Sequence, residues 1–542
     1  MKRKIAALLV LISVVLMLFS ACSKADISSN KSSEQDGASS SSSTTDTSGN
    51  AVKQPDKIRV FYVTAGIATP DNFNFQSNVI LDEIAKIANV EITEVIVPPS
   101  SDTITKYNLM MSSGNICDVV HLASKNTMIN DGKNGAYVEL SDIIKKSAII
   151  TERYLPYIDQ LKADDGNIYF LISLPVDGDV NDGIAIRYDL LKDIGYSEIP
   201  VTMDEWLEAM RKLKSKYPDS IPYASKDTLF WCEFVFKSYG CAGDGYSWQY
   251  YKDKIIHTFE NPLYKEAIKT YRLMLEEGLM DKEFVTTKEQ DYQDKRLNNK
   301  VLVNPQNLAS IGGWVNRYTE NNITEAIFVP AQWAKIDDPR IDPRSVYEGP
   351  LPLGTHCMGI ASTSKQKDAS IRFIEALLSD KGFELSVWGR EGIEFNIVDG
   401  KKVLNFQKSN ETNWRFIYNM LFGYNTKEKV EVQLKTSIAN TKFDDEGKRE
   451  YERIYWEQFD KVYADANSVL MNPMKFIILE PDTTTRRTEA RNEARTIAVK
   501  VILGELTFEE FDVQASNFLK KYQFITDEYN QKLPAAKKRA GQ

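Results

Sequence analysis

A strand, a helix and a second strand follow one another between residues 57 and 97. Residues 57–64 form a run rich in β-branched and aromatic residues, and isoleucines then recur at helical spacing from residue 80 to 87. Residues 90–97 form a second β-branched run, which two prolines stop. Two strands joined through a helix need a sheet on which that helix packs. The pattern therefore predicts an α/β fold from the first globular segment onward.

Capped helices continue this alternation along the chain. Thr202 followed by Glu205 forms a capping box ahead of Trp206, and Thr507 followed by Glu510 repeats the box near the C-terminus. The amphipathic spacing of the first of these helices predicts that Trp206 lies in a core. Strands that alternate with such helices indicate α/β lobes with mainly parallel sheets.

Residues 1–21 have the form of a secretory signal peptide. Basic residues precede an apolar run from Ile5 to Phe19, which is too short to span a bilayer. The run ends in two small residues followed by Cys22, and this arrangement resembles a bacterial lipobox, with Phe19 where that motif usually has leucine. We therefore expect Cys22 to be lipidated, with palmitate in the anchor. The alternative is ordinary secretory cleavage beside an incidental cysteine.

A serine-rich segment, residues 22–56 including the lipidated cysteine, follows the signal peptide. It has no aromatic residue and only two large aliphatic ones, so it cannot bury enough surface to fold. As a flexible coil it would average on the order of 30 Å end to end. We expect a disordered tether that holds the folded part at the extracellular face of the cell membrane.

The charge balance and hydropathy exclude two classes of protein. Lys and Arg number 67 against 76 Asp and Glu, which gives a net charge of −9 and no field that would attract nucleic acid. The mean hydropathy of −0.36 excludes a protein with many membrane spans. We expect a soluble extracellular body that acts as a monomer.

The motifs of most enzyme and metal chemistries are absent. His121, His257 and His356 stand singly, without the spacing of a zinc site. No GxSxG, Walker or GxGxxG motif stands at a strand-to-helix turn. We expect no cofactor, no metal ion and no enzymatic activity. Glycoside hydrolysis needs only two carboxylates, so a glycan-degrading enzyme stays open as an alternative.

Four cysteines follow Cys22 in the chain. An extracellular compartment is oxidising and permits disulfides. Cys232 and Cys241 could therefore pair, and buried free thiols are the alternative.

Several segments, spaced in order over roughly residues 57–535, resemble the extracellular solute-binding proteins of ABC importers. The segments that carry the likeness to the maltose-binding-protein type are residues 118–123, 135–144, 165–169, 174–175, 186–195 and 200–206. Those similar to the large lipoprotein branch of Gram-positive bacteria are residues 359–361, 371–374, 388–392, 399–401, 502–507 and 527–529. The calcium loop that several members of this branch carry after the Asp-Glu-Trp helix is absent here.

The resemblance implies a two-lobe periplasmic-binding-protein-like fold, with discontinuous lobes that close on a ligand about a hinge. It places the first lobe at residues 57–178 and 331–425, the second at residues 179–330 and 426–535, and a tail at residues 536–542. Closure would present a surface to the permease subunits of an ABC importer.

Carbohydrate is the ligand that the sequence favours. Sugar rings present C–H faces that stack on aromatic side chains and hydroxyls that bind polar groups. Three tryptophans are candidate stacking platforms because of their place in the family pattern or beside glycines: Trp231, Trp314 and Trp388. Candidate polar partners stand at strand ends, at the crossover or beside Trp388; they are Tyr62, Thr64, His121, Lys125, Asp179, Asn181, Arg390 and Glu391. For each residue, a core or solvated surface role is the competing interpretation.

Taken together, the sequence predicts a lipid-anchored receptor that delivers an oligosaccharide to an ABC permease. A peptide ligand, a glycan-degrading enzyme and a structural or adhesive lipoprotein remain the alternatives.

Overall fold

The structure is a computed structural model that describes residues 54–64, 67, 69–70, 72–99, 102–174, 183–229, 231–304, 308–349, 354–422 and 427–542. Its strands are β1 (Asp56–Phe61), β2 (Val90–Ile96), β3 (Val119–Leu122), β4 (Leu171–Ile172), β5 (Ile184–Arg187), β6 (Trp248–Tyr251), β7 (Lys254–His257), β8 (Val303–Asn304), β9 (Phe328–Ala331), β10 (Cys357–Ile360), β11 (Phe395–Val398) and β12 (Lys401–Leu404).

Helices outnumber strands among these residues. The first helices are α1 (Val79–Ala88), α2 (Thr103–Ser113), α3 (Lys125–Lys133), α4 (Ser141–Lys146), α5 (Ala148–Tyr154), α6 (Ile158–Leu161), α7 (Tyr188–Asp193), α8 (Met203–Lys216), α9 (Glu233–Ser238), α10 (Tyr264–Glu276) and α11 (Glu289–Asn298). They are followed by α12 (Ile311–Glu320), α13 (Pro343–Val346), α14 (Lys367–Leu378), α15 (Asp380–Val387), α16 (Phe406–Glu411), α17 (Lys427–Ala439), α18 (Asp445–Ala466), α19 (Pro481–Ile502), α20 (Phe508–Lys521) and α21 (Gln523–Arg539). The 3₁₀ helices are Leu155–Tyr157, Thr258–Glu260, Leu308–Ser310, Asn413–Phe422 and Pro473–Phe476.

The first sheet confirms the predicted β-α-β unit. Its five strands lie in the order β2-β1-β3-β10-β4. The pairs β1–β2 and β1–β3 are parallel, whereas β10 runs antiparallel to both β3 and β4. A strand from late in the chain is thus inserted between two early ones.

The second sheet corrects the expectation of mainly parallel sheets. It has three strands in the order β8-β5-β9, and β5 runs antiparallel to both neighbours. Two further antiparallel hairpins, β6–β7 and β11–β12, complete the described strands. The expectation failed because alternating strands and helices do not reveal a strand that returns in the opposite direction after a long excursion.

Local sequence explains where the main helices begin. The Asn78 side chain accepts a hydrogen bond from the Leu81 amide at the start of α1. Both predicted capping boxes are present, and they start α8 at Thr202 and α20 at Thr507. Trp206 on α8 is fully buried, as its spacing predicted.

Two hydrophobic cores support the two lobes. The first core is built around β1, β3 and β10 from buried side chains between residues 58 and 174 and between 357 and 422, with Ile478 added. The second is built from residues 184–346 and 430–536. Trp333 and Val346 pack in this second core. We therefore propose that the chain returns to the first lobe between residues 346 and 357, later than the residue 331 that the sequence suggested.

Two sequence expectations concern covalent and membrane features. The described cysteines Cys117, Cys232, Cys241 and Cys357 are buried free thiols, so Cys232 and Cys241 are not paired. In the part of the chain that the structure describes, no helix is both long and apolar enough to cross a bilayer. Cys22 and most of the predicted tether lie outside the described residues.

The capping box of α8 yields a stability prediction. Thr202→Ala removes the hydroxyl that accepts from the Glu205 amide at 3.3 Å, and we expect the free energy of unfolding to fall by about 1 kcal/mol. Thr202→Ser retains the hydroxyl and is the matched control. Urea unfolding followed by tryptophan fluorescence measures both. Equal midpoints for the two variants would contradict the role assigned to this cap.

Candidate functional site

The carboxyl ends of β1 and β3 bring together two predicted ligand-binding residues. These strands are parallel, with Phe61 opposite Val120, so the residues around their ends share one sheet edge. The ring centroids of Tyr62 and His121 lie 4.3 Å apart. Both side chains are buried, and the Tyr62 hydroxyl donates to the carbonyl oxygen of Ile417 at 3.1 Å. We call this group, together with His356 described below, the strand-end cluster.

A pair of buried imidazoles extends the strand-end cluster. The Nε2 of His121 lies 3.0 Å from the Nδ1 of His356, which directly precedes β10. The Val63 amide donates to His121 Nδ1 at 3.5 Å, and this contact assigns the proton to Nε2, which donates to His356. Burial lowers the pKa of His121 well below its usual range, and His356 adds to this effect. Burial and repulsion from Lys429 lower the pKa of His356 to about 4.

Sequence reasoning missed His356 and Tyr418. The Tyr418 ring lies 6.0 Å from that of Tyr62, and its hydroxyl accepts from Asn78 Nδ2 at 2.8 Å. A histidine directly before an apolar strand was a usable signal for His356. The insertion of β10 beside β3, which brings His356 to His121, is not visible in the sequence. No local pattern singles out Tyr418.

Lys125 and Thr64 also lie near this edge. The Lys125 ammonium, just after β3, donates to the carbonyl oxygen of Lys475 at 3.0 Å and lies 5.8 Å from the Phe476 ring centroid. Burial lowers the pKa of Lys125 to about 8, and repulsion from Arg539 adds to this. Thr64 is half-buried three residues after β1. Lys125 therefore joins the end of β3 to a segment of the proposed second lobe.

A strained turn presents the predicted platform Trp231. Four non-glycine residues of this turn have positive φ: Asp227 (44°), Thr228 (60°), Leu229 (82°) and Trp231 (65°). Each such residue costs on the order of 1 kcal/mol and persists only where its surroundings enforce it. The Tyr223 hydroxyl supports the turn by donating to the carbonyl oxygen of Trp231 at 2.9 Å. Strain of this kind gathers at ligand-binding turns.

Trp314 and the strained turn are linked by the side chains of Arg296 and Tyr292, which lie between them in a chain of contacts. It is 9% exposed on α12, and the Arg296 guanidinium stacks 3.2 Å from its ring centroid. Arg296 also lies 5.4 Å from the Tyr292 ring, against whose cluster Trp231 packs. Lys226, at the start of the turn, is 5.6 Å from the same Tyr292 ring. The structure thus links Trp231 and Trp314, although Arg296 occupies one face of Trp314.

The strand-end cluster lies at the edge where the chain leaves the first sheet. Cys357 at the start of β10 pairs with Leu122 at the end of β3 and with Ile172 at the end of β4. The ends of β3 and β4 therefore share one edge, and the chain passes from the end of β4 to the second lobe.

The strained turn lies at the edge where the chain enters the second sheet. Tyr223 bridges Val303 in the parallel sense, so the turn that follows Tyr223 lies beyond the end of β8. Asn304 of β8 pairs with Ala185 near the start of β5. From the end of β4 to the start of β5, an extended chain spans at most about 40 Å. The strand-end cluster and the strained turn therefore flank the connection between the lobes.

The structure places Trp388, Arg390 and Glu391 in a different side-chain cluster. Trp388 packs against Phe395, with ring centroids 5.9 Å apart. Arg390 donates from Nε and Nη2 to the carboxylate of the buried Glu394 at 3.2 and 2.6 Å. This ion pair holds the Arg390 guanidinium, and Glu391 is exposed. We therefore place these three residues outside the candidate site. Asp179 and Asn181 lie outside the described residues.

The chemistry of the described groups suits binding. The two imidazoles bond to each other and to a backbone amide, which holds them neutral and oriented. Tyr62 supplies aromatic surface beside the imidazoles, and Trp231 and Trp314 supply it near the strained turn. Within the described ranges, no group of three or more His, Cys, Asp or Glu side chains is arranged to hold a metal ion.

Comparison with known proteins defines the class. The family model described as bacterial extracellular solute-binding protein matches residues 79–382, which is more than half of the 542-residue chain. The chain therefore belongs to the bacterial extracellular solute-binding proteins, and it has their two-lobe α/β fold.

Individual relatives agree with this class. A fructooligosaccharide ABC transporter substrate-binding protein, FusA of Streptococcus pneumoniae, is 31% identical over 205 residues, 34% of this chain and 38% of that protein. Lipoprotein LipO of Bacillus subtilis is 22% identical over 487 residues, 86% of this chain and 90% of LipO. The match to FusA thus spans well under half of that protein's length.

Solved structures share the fold. The alginate-binding protein AlgQ2 without calcium ion matches with a TM-score of 0.63 and 19% identity, covering 88% of this chain and 98% of AlgQ2. The Streptococcus pneumoniae protein FusA in complex with kestose matches with a TM-score of 0.62 and 19% identity, covering 89% and 100%.

The imidazole pair makes stability depend on pH. His356 accepts a proton near pH 6.5 when unfolded and near pH 4 when folded, so the folded state weakens as the pH falls through this range. At about 1.4 kcal/mol per pKa unit, the loss at His356 is about 3 kcal/mol.

We expect His356→Gln to reduce this acid sensitivity, measured as the urea midpoint at pH 7 and at pH 4.5. A residual sensitivity should persist, because burial also lowers the pKa of His121 well below its usual range and that of His257 to about 3. The same fall in midpoint for the parent chain and His356→Gln would refute the assignment.

Proposed function

We propose that this chain is a lipid-anchored receptor that captures an oligosaccharide between its two lobes and delivers it to the permease of an ABC importer. The observation that carries the proposal is the placement of the strand-end cluster and the strained turn. They belong to different hydrophobic cores, and they lie at the two sheet edges that flank the connection between β4 and β5. A ligand held by both edges would favour the closed arrangement of the lobes.

The residue types at these edges match the surface of a sugar. Tyr62 and Trp231 offer aromatic faces for C–H patches, while the Lys226 ammonium, which also pairs with Glu289, offers N–H donors for hydroxyls. We assign ligand contact to these side chains, with Thr64, Lys125 and Trp314 at the border of the site and Asp179 and Asn181 in the connecting segment.

The names of the relatives support a carbohydrate ligand. FusA is described as a fructooligosaccharide-binding protein, and AlgQ2 as an alginate-binding protein. We infer an oligosaccharide for this chain because both relatives are proteins of the same architecture that bind chains of sugars.

Binding and transfer, without catalysis, form part of the proposal. Among the described residues, neither His121 nor His356 is hydrogen-bonded to a serine or cysteine side chain; the Ser173 hydroxyl accepts from the His356 backbone amide instead. A general base for a nucleophile would need such a contact. A carboxylate-based hydrolase is tested by incubation of the protein with oligosaccharides and chromatography of the products.

Anchoring through Cys22 completes the proposal. The lipobox-like end of the signal sequence supports it, and so does the similarity to a protein named as a lipoprotein. The tether would hold the receptor close to a permease in the same membrane.

The strained turn gives a direct test of ligand binding. Calorimetric titration with kestose and other fructooligosaccharides, alginate oligosaccharides, milk oligosaccharides, N-glycans and short peptides identifies the ligand class. For the ligand found, we expect Trp231→Ala to raise the dissociation constant about tenfold, because a stacked ring face is worth on the order of 1.4 kcal/mol.

Trp456→Ala, which removes a half-buried tryptophan from α18, is the matched control and should bind as the parent chain does. Unchanged affinity in Trp231→Ala would remove the turn from the site. Binding of peptides alone would replace the proposal with that of a peptide receptor, and release of shorter sugars would assign an enzyme.

The anchor is tested in cells. We expect Cys22→Ser to abolish incorporation of a clickable palmitate analogue and to move the protein from the membrane fraction to the medium, because the thiol is the acceptor of the lipid. Ser23→Ala leaves that thiol in place and is the control. Labelling that persists in Cys22→Ser would exclude this residue as the anchor.

A further inference from the structure

A cavity lies apart from the strand-end cluster and the strained turn. It has a volume of about 690 Å³, within the range of small-molecule sites. One wall is formed by Trp388, β12 and α16, and the other by the end of α17 and the start of α18. None of the residues assigned above to ligand contact lines it. We call it the Trp388 cavity.

The Trp388 indole offers a ring surface to this cavity. Its Nε1 donates to Glu428 Oε1 at 2.5 Å, and Phe395 packs against it at a steep angle of 64°. The hydrogen bond and this packing fix the ring, which remains 9% exposed and contributes to the cavity wall. The Lys402 ammonium lies 5.3 Å from the ring centroid and also lines the cavity. The NH edge of the indole is therefore already used, while part of the ring is left for contact.

The wall formed by β12 and α16 also exposes large apolar side chains. Val403 is 47% exposed and Phe406 is 41% exposed, and both line the cavity. They stand close in sequence to Ile393, Ile397 and Val398, which are exposed by 39%, 46% and 51%. This is a concentration of exposed large apolar side chains within 14 residues, and such concentrations mark binding surfaces.

Amide groups line the cavity beside these apolar faces. Asn410 of α16 and Asn440, just after α17, both bond to Asn316 of α12. Asn316 Nδ2 donates to Asn410 Oδ1 at 3.1 Å, and Asn440 Nδ2 donates to Asn316 Oδ1 at 3.0 Å. These two hydrogen bonds fix the orientation of the Asn410 and Asn440 side-chain amides. They leave the side-chain NH₂ group of Asn410 and the side-chain oxygen of Asn440 for further hydrogen bonds. Gln407 adds an exposed amide.

The charges around the cavity favour a neutral ligand. Four cationic side chains and three carboxylates line it. Lys435 is paired with Glu452 at 3.4 Å and with Glu431 at 2.6 Å, and Lys402 is paired with Glu384 at 3.0 Å. Two of the four cations are thus paired, and because charges of both signs are interspersed, the cavity has little net charge with which to select an anion or a cation.

We propose that the Trp388 cavity is a second carbohydrate-binding site, which takes one or two neutral sugar units; this rests on the proposed function. Aromatic and aliphatic surface beside oriented amides matches the alternating C–H faces and hydroxyls of a sugar. The volume of about 690 Å³ suits a mono- or disaccharide more closely than a protein segment.

The site has a consequence for lobe closure. Its walls come from residues 388–411 of the proposed first lobe and residues 435–452 of the proposed second lobe. A sugar bound there contacts both lobes, so it shifts the equilibrium between open and closed forms by its difference in affinity for the two. A long oligosaccharide, or a second molecule, would in this way tune the affinity of the principal site.

Fluorine NMR distinguishes the two sites in one titration. The full-length chain is labelled with 5-fluorotryptophan, and its eight tryptophans give separate reporters, with Trp388 assigned through Trp388→Phe. Kestose, alginate oligosaccharides, milk oligosaccharides and N-glycan fragments are the probes. We expect the Trp388 resonance to shift in a saturable manner at a concentration different from that which saturates Trp231, while the core Trp206 stays unchanged.

A double variant and two control variants test whether the sugar binds in the Trp388 cavity. Phe406→Ala combined with Gln407→Ala should weaken the Trp388 response at least about fivefold and leave the Trp231 response intact. Leu109→Ala, which removes a 61% exposed apolar side chain elsewhere, should change neither. Trp231→Ala should leave the Trp388 response to free sugar in place.

The outcomes separate this proposal from the one on which it rests. A sugar that shifts Trp231 but never Trp388, or a Trp388 shift that persists in the double variant, overturns the second site. If no probe shifts either resonance, the proposed oligosaccharide function fails and the second site fails with it.

Discussion

The insertion of β10 between β3 and β4 is the constraint on which the rest of the structure depends. Backbone hydrogen bonds in a sheet must be completed, and β10 completes them for two strands that precede it by more than 180 residues. The three strands of the second sheet lie between β4 and β10 in the sequence, so the chain passes through that sheet before it returns to the first. The edge of the first sheet that β10 completes also carries Tyr62, His121 and His356. One pairing thus fixes both the lobe connection and the candidate site.

Burial of polar groups at this edge is tolerable because they satisfy one another. The imidazoles bond in series to the Val63 amide, and the Tyr62 hydroxyl bonds to a carbonyl oxygen. Unpaired, each group would carry a desolvation cost of about 1–3 kcal/mol. The second lobe instead stores strain in the turn at Trp231. The first lobe thus has a rigid edge and the second a strained one, and this combination suits a receptor that must close and reopen.

Much of the fold was visible in the sequence because its local signals agree. The capping boxes at Thr202 and Thr507, the helical face of Trp206 and the first β-α-β unit all depend on neighbouring residues. The antiparallel second sheet and the position of β10 depend on residues more than a hundred positions apart, which no periodicity records. The site divides in the same way. Tyr62 and His121 were predictable from strand ends, whereas His356 and Tyr418 reach them through tertiary pairing.

Arg390 and Trp388 lie apart from the strand-end cluster and the strained turn for a physical reason. A sequence shows that an arginine and a tryptophan stand together in a loop, but it does not show which partner each side chain meets. Glu394, four residues after Arg390, takes the guanidinium, and Glu428 takes the indole NH. Charged groups and the indole NH form hydrogen bonds with the nearest suitable partner, and only the three-dimensional structure identifies that partner.

The long-range strand pairing also bears on how the chain acquires its structure. Leu122 pairs with Cys357, and β5 pairs with β8 and β9, which lie more than a hundred residues downstream. Neither sheet can be completed until most of the polypeptide is available. High contact order of this kind slows folding, and it keeps apolar strands such as β3 and β5 exposed meanwhile. A chain that must cross a membrane before it folds gains from that delay, since slow sheet closure keeps it unfolded long enough to be exported.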